Sequence, residues 1–190
     1  MAVEFALDPD TALMLQVSKD DGPSFDLLLA RHRGTVVNHL YRLVHNRDIA
    51  EELAQDVFIR VYRSRATYQP DAKFTTWLFR ITTNVALNWR RDTRREAGYV
   101  RLDLRELRDQ LPPADERMVL EHRAKQVRAA IDKLPAKQLA AVLMHKYEGM
   151  EYSEIAEVLQ CSIPALKSLL FRAYETLRHR LAHFAPAHVA

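Results

Sequence analysis

The sequence predicts an all-α protein of two small helical domains joined by a flexible linker. Three observations lead there. The 190 residues include only 4 glycines. Apolar residues recur three and four positions apart rather than two, the period of amphipathic helices. The recurrence stops in EAGYVRLDLRELRDQLPPADER, which begins at Glu96 and carries dispersed charges, a glycine and the Pro112–Pro113 pair.

The elements follow in chain order. Residues 1–24 read as an N-terminal extension, and residues 25–95 as the first domain. There, Phe25, Leu28, Leu29, His32, Val36, Leu40 and Leu43 form one stripe, and a turn follows at Asn46 to Asp48. Ile49, Leu53, Val57 and Val61 form a second stripe; Phe74, Trp77, Leu78, Ile81, Val85 and Trp89 form a third. Three such helices suffice for one small core. Residues 96–121 are the linker. The second domain, 122–183, is expected to hold helices near 127–134, 137–147, 152–159 and 163–183, and residues 184–190 form a frayed tail.

Composition excludes several classes of function. With 48% hydrophobic and 28% charged residues the chain reads as soluble and globular. It has no run of about 18 apolar residues and no basic-then-apolar leader, so a cytoplasmic protein without membrane insertion is expected. Cys161 is the sole cysteine, which rules out an internal disulfide and a cysteine zinc cluster. His179 and His183 stand four apart, but no glutamate follows His179 as a metalloprotease helix requires. No glycine-rich phosphate loop or Ser-His-Asp logic stands out. No cofactor, no metal site and no enzymatic activity are expected.

The C-terminal stretch YSEIAEVLQCSIPALKSLLFRAYETLRHRL reads as a short helix, a tight turn and a longer helix. Ser162 suits an N-cap and Pro164 the first turn, while Leu159, Ile163, Leu166 and Leu170 face the core. In a helix-turn-helix the start of the second helix enters the major groove, which would direct Ser162, Pro164, Lys167, Ser168 and Phe171 outward. Arg172, Arg178 and Arg180 continue the face toward phosphates. A plain helical hairpin with a solvated basic face fits the same pattern. The turn is atypical, since Gln160 stands where glycine is usual.

FTTWLFRITTNVALNWRRDTRR, Phe74 to Arg95, holds both tryptophans and five arginines against one acid. Its stripe assigns Trp77 and Trp89 to packing. The other face presents Thr76, Arg80, Thr83, Asn84, Leu87 and Arg91, with Arg90, Arg94 and Arg95 beside it and Phe79 exposed at the margin. Such a face suits bases and phosphates, or simply water. Upstream, DIAEELAQDVFIRVYRS places Asp48, Glu51, Glu52 and Asp56 on a helix. That acidic patch calls for a protein partner rather than DNA.

The order of FDLLLARHRGTVVNHLYRLVHNRDIAEELAQDVFIRVYRS, FTTWLFRITTNVALNWRRDTRR, a tether and LPAKQLAAVLMHKYEGMEYSEIAEVLQCSIPALKSLLFRAYETLRHRL resembles the bacterial sigma-70 family. The short length resembles its extracytoplasmic function (ECF) branch. The likeness runs from Phe25 to Leu181.

The resemblance implies a role for each motif. The first domain would bind core RNA polymerase, at its beta-prime coiled coil and beta subunit, through Glu52, Leu53, Gln55, Asp56, Phe58 and Ile59. The loop TYQPDAKF would capture a flipped base of the minus-10 element through Tyr68, Gln69, Asp71 and Lys73. Trp77, Arg80, Thr83, Asn84 and Arg91 would flank the melted junction. The second domain would read the minus-35 element through Ser162, Pro164, Lys167, Ser168, Phe171 and Arg172. Leu169 departs from the arginine usual in the family. The linker resembles a tether threading toward the active-site channel; mimicry of nucleic acid there and a plain solvated linker both fit its six acids and four arginines across 96–120. An anti-sigma factor is the further partner the branch implies. A stand-alone operator-binding regulator would account for the second domain only.

Overall fold

The computed structural model of the protein describes residues 8–96, 126–127, 129–131 and 133–182. The described elements are helical, as the apolar spacing requires: α1 (Pro9–Val17), α2 (Gly22–Val44), α3 (Arg47–Arg63), a 3-10 turn at Arg65–Thr67, α4 (Phe74–Glu96), α5 (Ala136–Tyr147), α6 (Tyr152–Val158) and α7 (Ile163–Arg180). Helical backbone also occurs at 126–127 and 129–131. Most of the expected linker and the tail lie outside the described residues.

Helices α2, α3 and α7 start where the sequence supplies a cap. Asp21 accepts a hydrogen bond from the Ser24 N–H (3.0 Å), and Pro23 follows within the first turn of α2. Asn46 accepts from the Ile49 N–H (3.0 Å) to open α3, and Ser162 from the Ala165 N–H (3.3 Å) to open α7. At its C-terminus α2 is closed by His45 in the left-handed region (φ 57°). Arg90, counted by the sequence reading among a solvent-facing basic cluster, is buried instead. Its guanidinium donates to the Leu43 carbonyl oxygen (2.7 Å), satisfying an orphan acceptor in the last turn of α2.

One element escaped the sequence reading. Within the supposed extension, Pro9–Val17 forms α1, which buries Met14 and Val17 and packs against α2 and α4. Asp10 ties it to α2 through an ion pair with Arg31 and a hydrogen bond with the His32 ring, 2.8 Å between Oδ2 and Nε2.

The two halves also meet. The apolar core runs continuously from Leu28, Leu40 and Leu78 into Leu139, Met144 and Ile155. Helix α4 lies against α5 and α6, and α2 against α5. The expected small cores are therefore joined across a helix-helix seam.

Candidate polymerase and nucleic-acid interfaces

On α3 the residue spacing sorts the side chains cleanly. Ala50, Leu53, Ala54, Val57, Phe58 and Val61 are buried against α2 and α4. Glu52, Gln55, Asp56 and Ile59 follow the i, i+3, i+4, i+7 spacing of the opposite face and are exposed, Ile59 by 47%. Of the six residues expected at a polymerase interface, Leu53 and Phe58 are thus core residues, because their register faces the bundle. The remaining four form an acidic stripe with an uncovered isoleucine, a surface suited to a partner with basic and apolar groups.

The capture loop departs further from expectation. Gln69, Asp71 and Lys73 are exposed, but Tyr68 is buried. Its ring meets Trp77 edge-on (centroids 4.9 Å apart) and lies 6.5 Å from that of Phe74. Burial pushes the Tyr68 hydroxyl up from its ordinary value of 10.0, and the neighbouring Asp8 and Asp71 carboxylates add to the shift. Tyr68 therefore anchors the loop, leaving the exposed tip to Gln69, Asp71 and Lys73. Trp77 is half-buried, consistent with a packing role.

Along α4, Arg80 is half-buried, and Asn84 and Arg91 are exposed. Thr83 is fully buried, with its hydroxyl 4.0 Å from the Met144 sulfur of α5. Phe79, expected at the margin, is also buried and meets His39 edge-on with centroids 5.0 Å apart. The two corrections have different causes: α5 of the second half covers Thr83, whereas Phe79 turns onto His39 of α2, and a one-helix periodicity argument treats both positions as solvent.

The cover is polar at the loop. Lys73 Nζ lies 2.9 Å from Glu154 Oε1 of α6. Partial burial pushes the Glu154 carboxyl up, but hydrogen bonds from the Lys73 ammonium and the Glu151 N–H (2.8 Å) hold it below its ordinary 4.5. A cleft of about 430 Å³ remains between the halves, walled by Asp71, Lys73 and Thr76 on one side and Glu151, Glu154 and Glu157 on the other. In this arrangement α5 covers Thr83, and α6 pairs the Lys73 ammonium with Glu154.

The helix-turn-helix geometry is present in full. Helices α6 and α7 are joined through Leu159 to Ser162, with the Cys161 N–H donating to the Ala156 carbonyl (2.9 Å). Gln160 takes the left-handed conformation (φ 51°) that glycine ordinarily fills. Leu166, Leu170 and Ala173 are buried on one side of α7 and Leu169 is half-buried beside them, but Ile163, expected in the core, is 43% exposed in the first turn. On the other side Ser162, Pro164, Lys167, Ser168, Phe171 and Arg172 are all exposed, and Phe171 stands 67% exposed. Lys167, Ser168, Phe171 and Arg172 line one open depression. A phenyl ring exposed in one depression with Lys167 and Arg172 suits apolar contact with a thymine methyl beside cations that reach base edges or phosphates. Ser168 donates to the Pro164 carbonyl (3.1 Å) and Arg172 Nε to the Ser168 carbonyl (3.2 Å), which steers these side chains along the helix.

Among the described residues no helix is long and apolar enough to cross a membrane, and His183, of the spaced histidine pair, lies outside them.

Comparison with known proteins supplies the family. Residues 28–96 match the family described as Sigma-70 region 2, and residues 124–177 match Sigma-70, region 4. The RNA polymerase sigma-H factor of Pseudomonas aeruginosa is 31% identical over 180 residues, covering 90% of this chain and 92% of that protein. The ECF RNA polymerase sigma-E factor of Haemophilus influenzae is 30% identical over 181 residues, covering 90% and 95%. The ECF RNA polymerase sigma factor SigE of Mycolicibacterium smegmatis is 38% identical over 165 residues, 84% of this chain and 62% of that one. Among solved structures, CnrH in complex with the cytosolic domain of CnrY superposes with a TM-score of 0.69 at 22% identity, covering 92% and 97% of the two chains. The sigma factor RpoE in complex with the anti-sigma factor NepR from Bartonella quintana gives 0.65 at 22%, covering 83% and 96%. With both regions matched in order and the sigma-H and Haemophilus sigma-E relatives aligned over more than nine-tenths of their length, the chain belongs to the sigma-70 family of transcription initiation factors, in its ECF branch.

Proposed function

We propose that this protein binds core RNA polymerase and directs it to promoters by reading a minus-35 element as duplex and a minus-10 element as an opened strand. The observation that carries the reading is the outer face of α7. Six residues of the types that contact DNA are exposed together there, with Phe171 between Lys167 and Arg172. Seated in a major groove, Lys167, Ser168, Phe171 and Arg172 meet base edges, and Arg178 and Arg180 reach phosphates.

In this reading Glu52, Gln55, Asp56 and Ile59 form the polymerase-binding stripe, with Leu53 and Phe58 holding it in place from below. The exposed loop tip, Gln69, Asp71 and Lys73, takes the extruded minus-10 base. Trp77, Arg80, Asn84 and Arg91 border the junction, and Tyr68 supports the loop from inside. Extrusion costs a few kcal/mol, which stacking and phosphate contacts on a preformed surface offset without nucleotide hydrolysis. Residues 25–95 and 122–183 act as the two reading domains and 96–121 as their tether.

Promoter engagement then begins with separation of the halves, because Thr83 is covered by α5 and the exposed Lys73 ammonium stays paired with Glu154 of α6 until those helices move away. An anti-sigma factor, the class of partner carried by the solved RpoE of Bartonella quintana, would act by holding the closed arrangement. The site of action is the cytoplasm, beside polymerase.

The test is transcription in vitro from a pool of duplex templates randomised across the minus-35 and minus-10 positions. Core polymerase with this protein should yield transcripts sharing two spaced elements, and Lys167→Ala should relax the upstream element alone. Transcripts with no shared elements would overturn the reading.

A further inference from the structure

The most unexpected contact in the first half comes from its N-terminus. Asp8 precedes α1 and serves as its cap, with Oδ1 accepting from the N–H groups of Asp10 and Thr11, both at 3.0 Å. Its second oxygen does something else. Oδ2 accepts from the Thr11 hydroxyl and from the N–H of Phe74, the first residue of α4, at 3.4 Å. The Phe74 N–H is shared with Thr11 Oγ1, 3.3 Å away. Asp8 and Thr11 together thus satisfy a backbone donor 66 positions from Asp8, at the point where the 68–73 loop becomes the α4 helix.

The surroundings make that point mechanically stiff. Phe74 is fully buried, Thr11 is buried, and Tyr68 and Trp77 close over Phe74 from the two ends of the loop. Loop and helix start are therefore pinned from below by α1, while Gln69, Asp71 and Lys73 remain exposed above. Asp8 borders the cleft of the loop, but its two oxygens already accept four hydrogen bonds. It has little capacity left to read a base itself.

We propose that Asp8, acting with Thr11, is a positioning residue for minus-10 recognition: it fixes the register of the 68–73 loop on α4 and so sets the discrimination of the base the loop captures. The inference rests on the assignment of that loop as the minus-10 reader. Partial burial pushes the Asp8 carboxyl up, but the bonds from Thr11, Phe74 and Asp10 outweigh it and hold the group below its ordinary 3.8, so both oxygens are acceptors at neutral pH.

A single substitution separates capping from pinning. In Asp8→Asn the side-chain carbonyl still caps α1, since asparagine and aspartate are equivalent N-caps. The amide –NH2 that replaces Oδ2 cannot accept from the Phe74 N–H. Full-length wild-type, Asp8→Asn, Thr11→Val and Lys73→Ala proteins are each assembled with core polymerase. The template pool randomised at minus-10 is then scored for enrichment of the preferred base over its alternatives.

The expected result is that Asp8→Asn keeps the fold, polymerase affinity and minus-35 preference, with only a small drop in melting temperature from the lost hydrogen bond. Its minus-10 discrimination falls about tenfold, the scale of losing one base contact. Thr11→Val should fall in the same direction. If Lys73→Ala alters the preference while Asp8→Asn leaves it within twofold of wild type, Asp8 merely caps α1 and the proposal fails. If neither changes it, the loop is not the reader and both assignments fall. A loss in Asp8→Asn without one in Lys73→Ala would show that Asp8 does not act through the loop, which also overturns the proposal.

Discussion

Glu148 and His39 stand 109 positions apart in the chain, yet Glu148 Oε1 lies 3.3 Å from His39 Nδ1 at the seam between the two halves. The Glu148 side chain is only 6% exposed, and His39 is buried completely. Arg42 completes the cluster, donating to the same oxygen at 3.2 Å while its guanidinium covers the Tyr147 ring at 4.4 Å. A carboxylate this deep is tolerated only because it is paired.

Glu148→Ala leaves His39 and Arg42 facing an empty seam. It should lower the closed form's stability by on the order of 2 kcal/mol, below the full cost for a buried pair because Arg42 is partly solvated. Small-angle scattering should show a larger radius of gyration in the variant than in wild type. An unchanged radius would mean that the seam is held by apolar packing alone.

The seam also shows where sequence reasoning stops. Helices α2, α3, α4 and α7 were legible because each carries a stripe of the right period, and α2, α3 and α7 also a cap at the start. Helix α1 carried a start signal, Asp8-Pro9-Asp10, but its nine residues are too few for a persuasive stripe. Tyr68 and Phe79 were assigned outward because periodicity describes one helix against one core. It carries no information about a second bundle or a loop tucked inward. Arg90 was misplaced for a related reason: a buried arginine bonded to a carbonyl has the same letter as one bound to phosphate. By contrast, the outward face of α7 was legible from its spacing, since core and DNA demands fall on opposite sides of one helix, and only Ile163, in the first turn, departs from its expected place in the core.

Lys167→Ala should weaken promoter binding through the minus-35 element and reduce the salt dependence of that binding by about one counterion. Phe171→Ala should instead cost about 1–3 kcal/mol of base discrimination at one position, with the salt slope unchanged. Binding isotherms of the holoenzyme at several salt concentrations separate the two. Identical slopes in wild type and Lys167→Ala would show that Lys167 neutralises no phosphate.

Gln160 occupies a left-handed position in the turn between α6 and α7. Gln160→Gly should therefore stabilise the second half by about 0.5–1 kcal/mol, the relief of an unfavourable φ less the added chain entropy. Urea unfolding measures this. A loss of stability would show that the glutamine side chain makes a compensating contact in the native protein.

Acid should loosen the first half through Asp8. Its folded-state pKa is depressed, so its contribution is present above the ordinary carboxylate value and lost as pH falls through the folded value. The stability difference between wild type and Asp8→Asn should therefore be flat at neutral pH and shift against the wild type below about pH 4. A difference independent of pH in thermal melts would mean that the hydrogen bonds to Asp8 do not form in solution.

The most direct measurement is co-elution of the purified full-length protein with bacterial core RNA polymerase at moderate salt, with Asp56→Arg run beside it. Asp56 is exposed on the acidic stripe of α3, so reversing its charge should change stability by no more than about 0.5 kcal/mol. The account predicts that wild type co-elutes and Asp56→Arg does not. Failure of wild type to co-elute, in a sample free of any anti-sigma factor, would contradict the central claim. Equal co-elution of the two would place the polymerase interface elsewhere on the molecule.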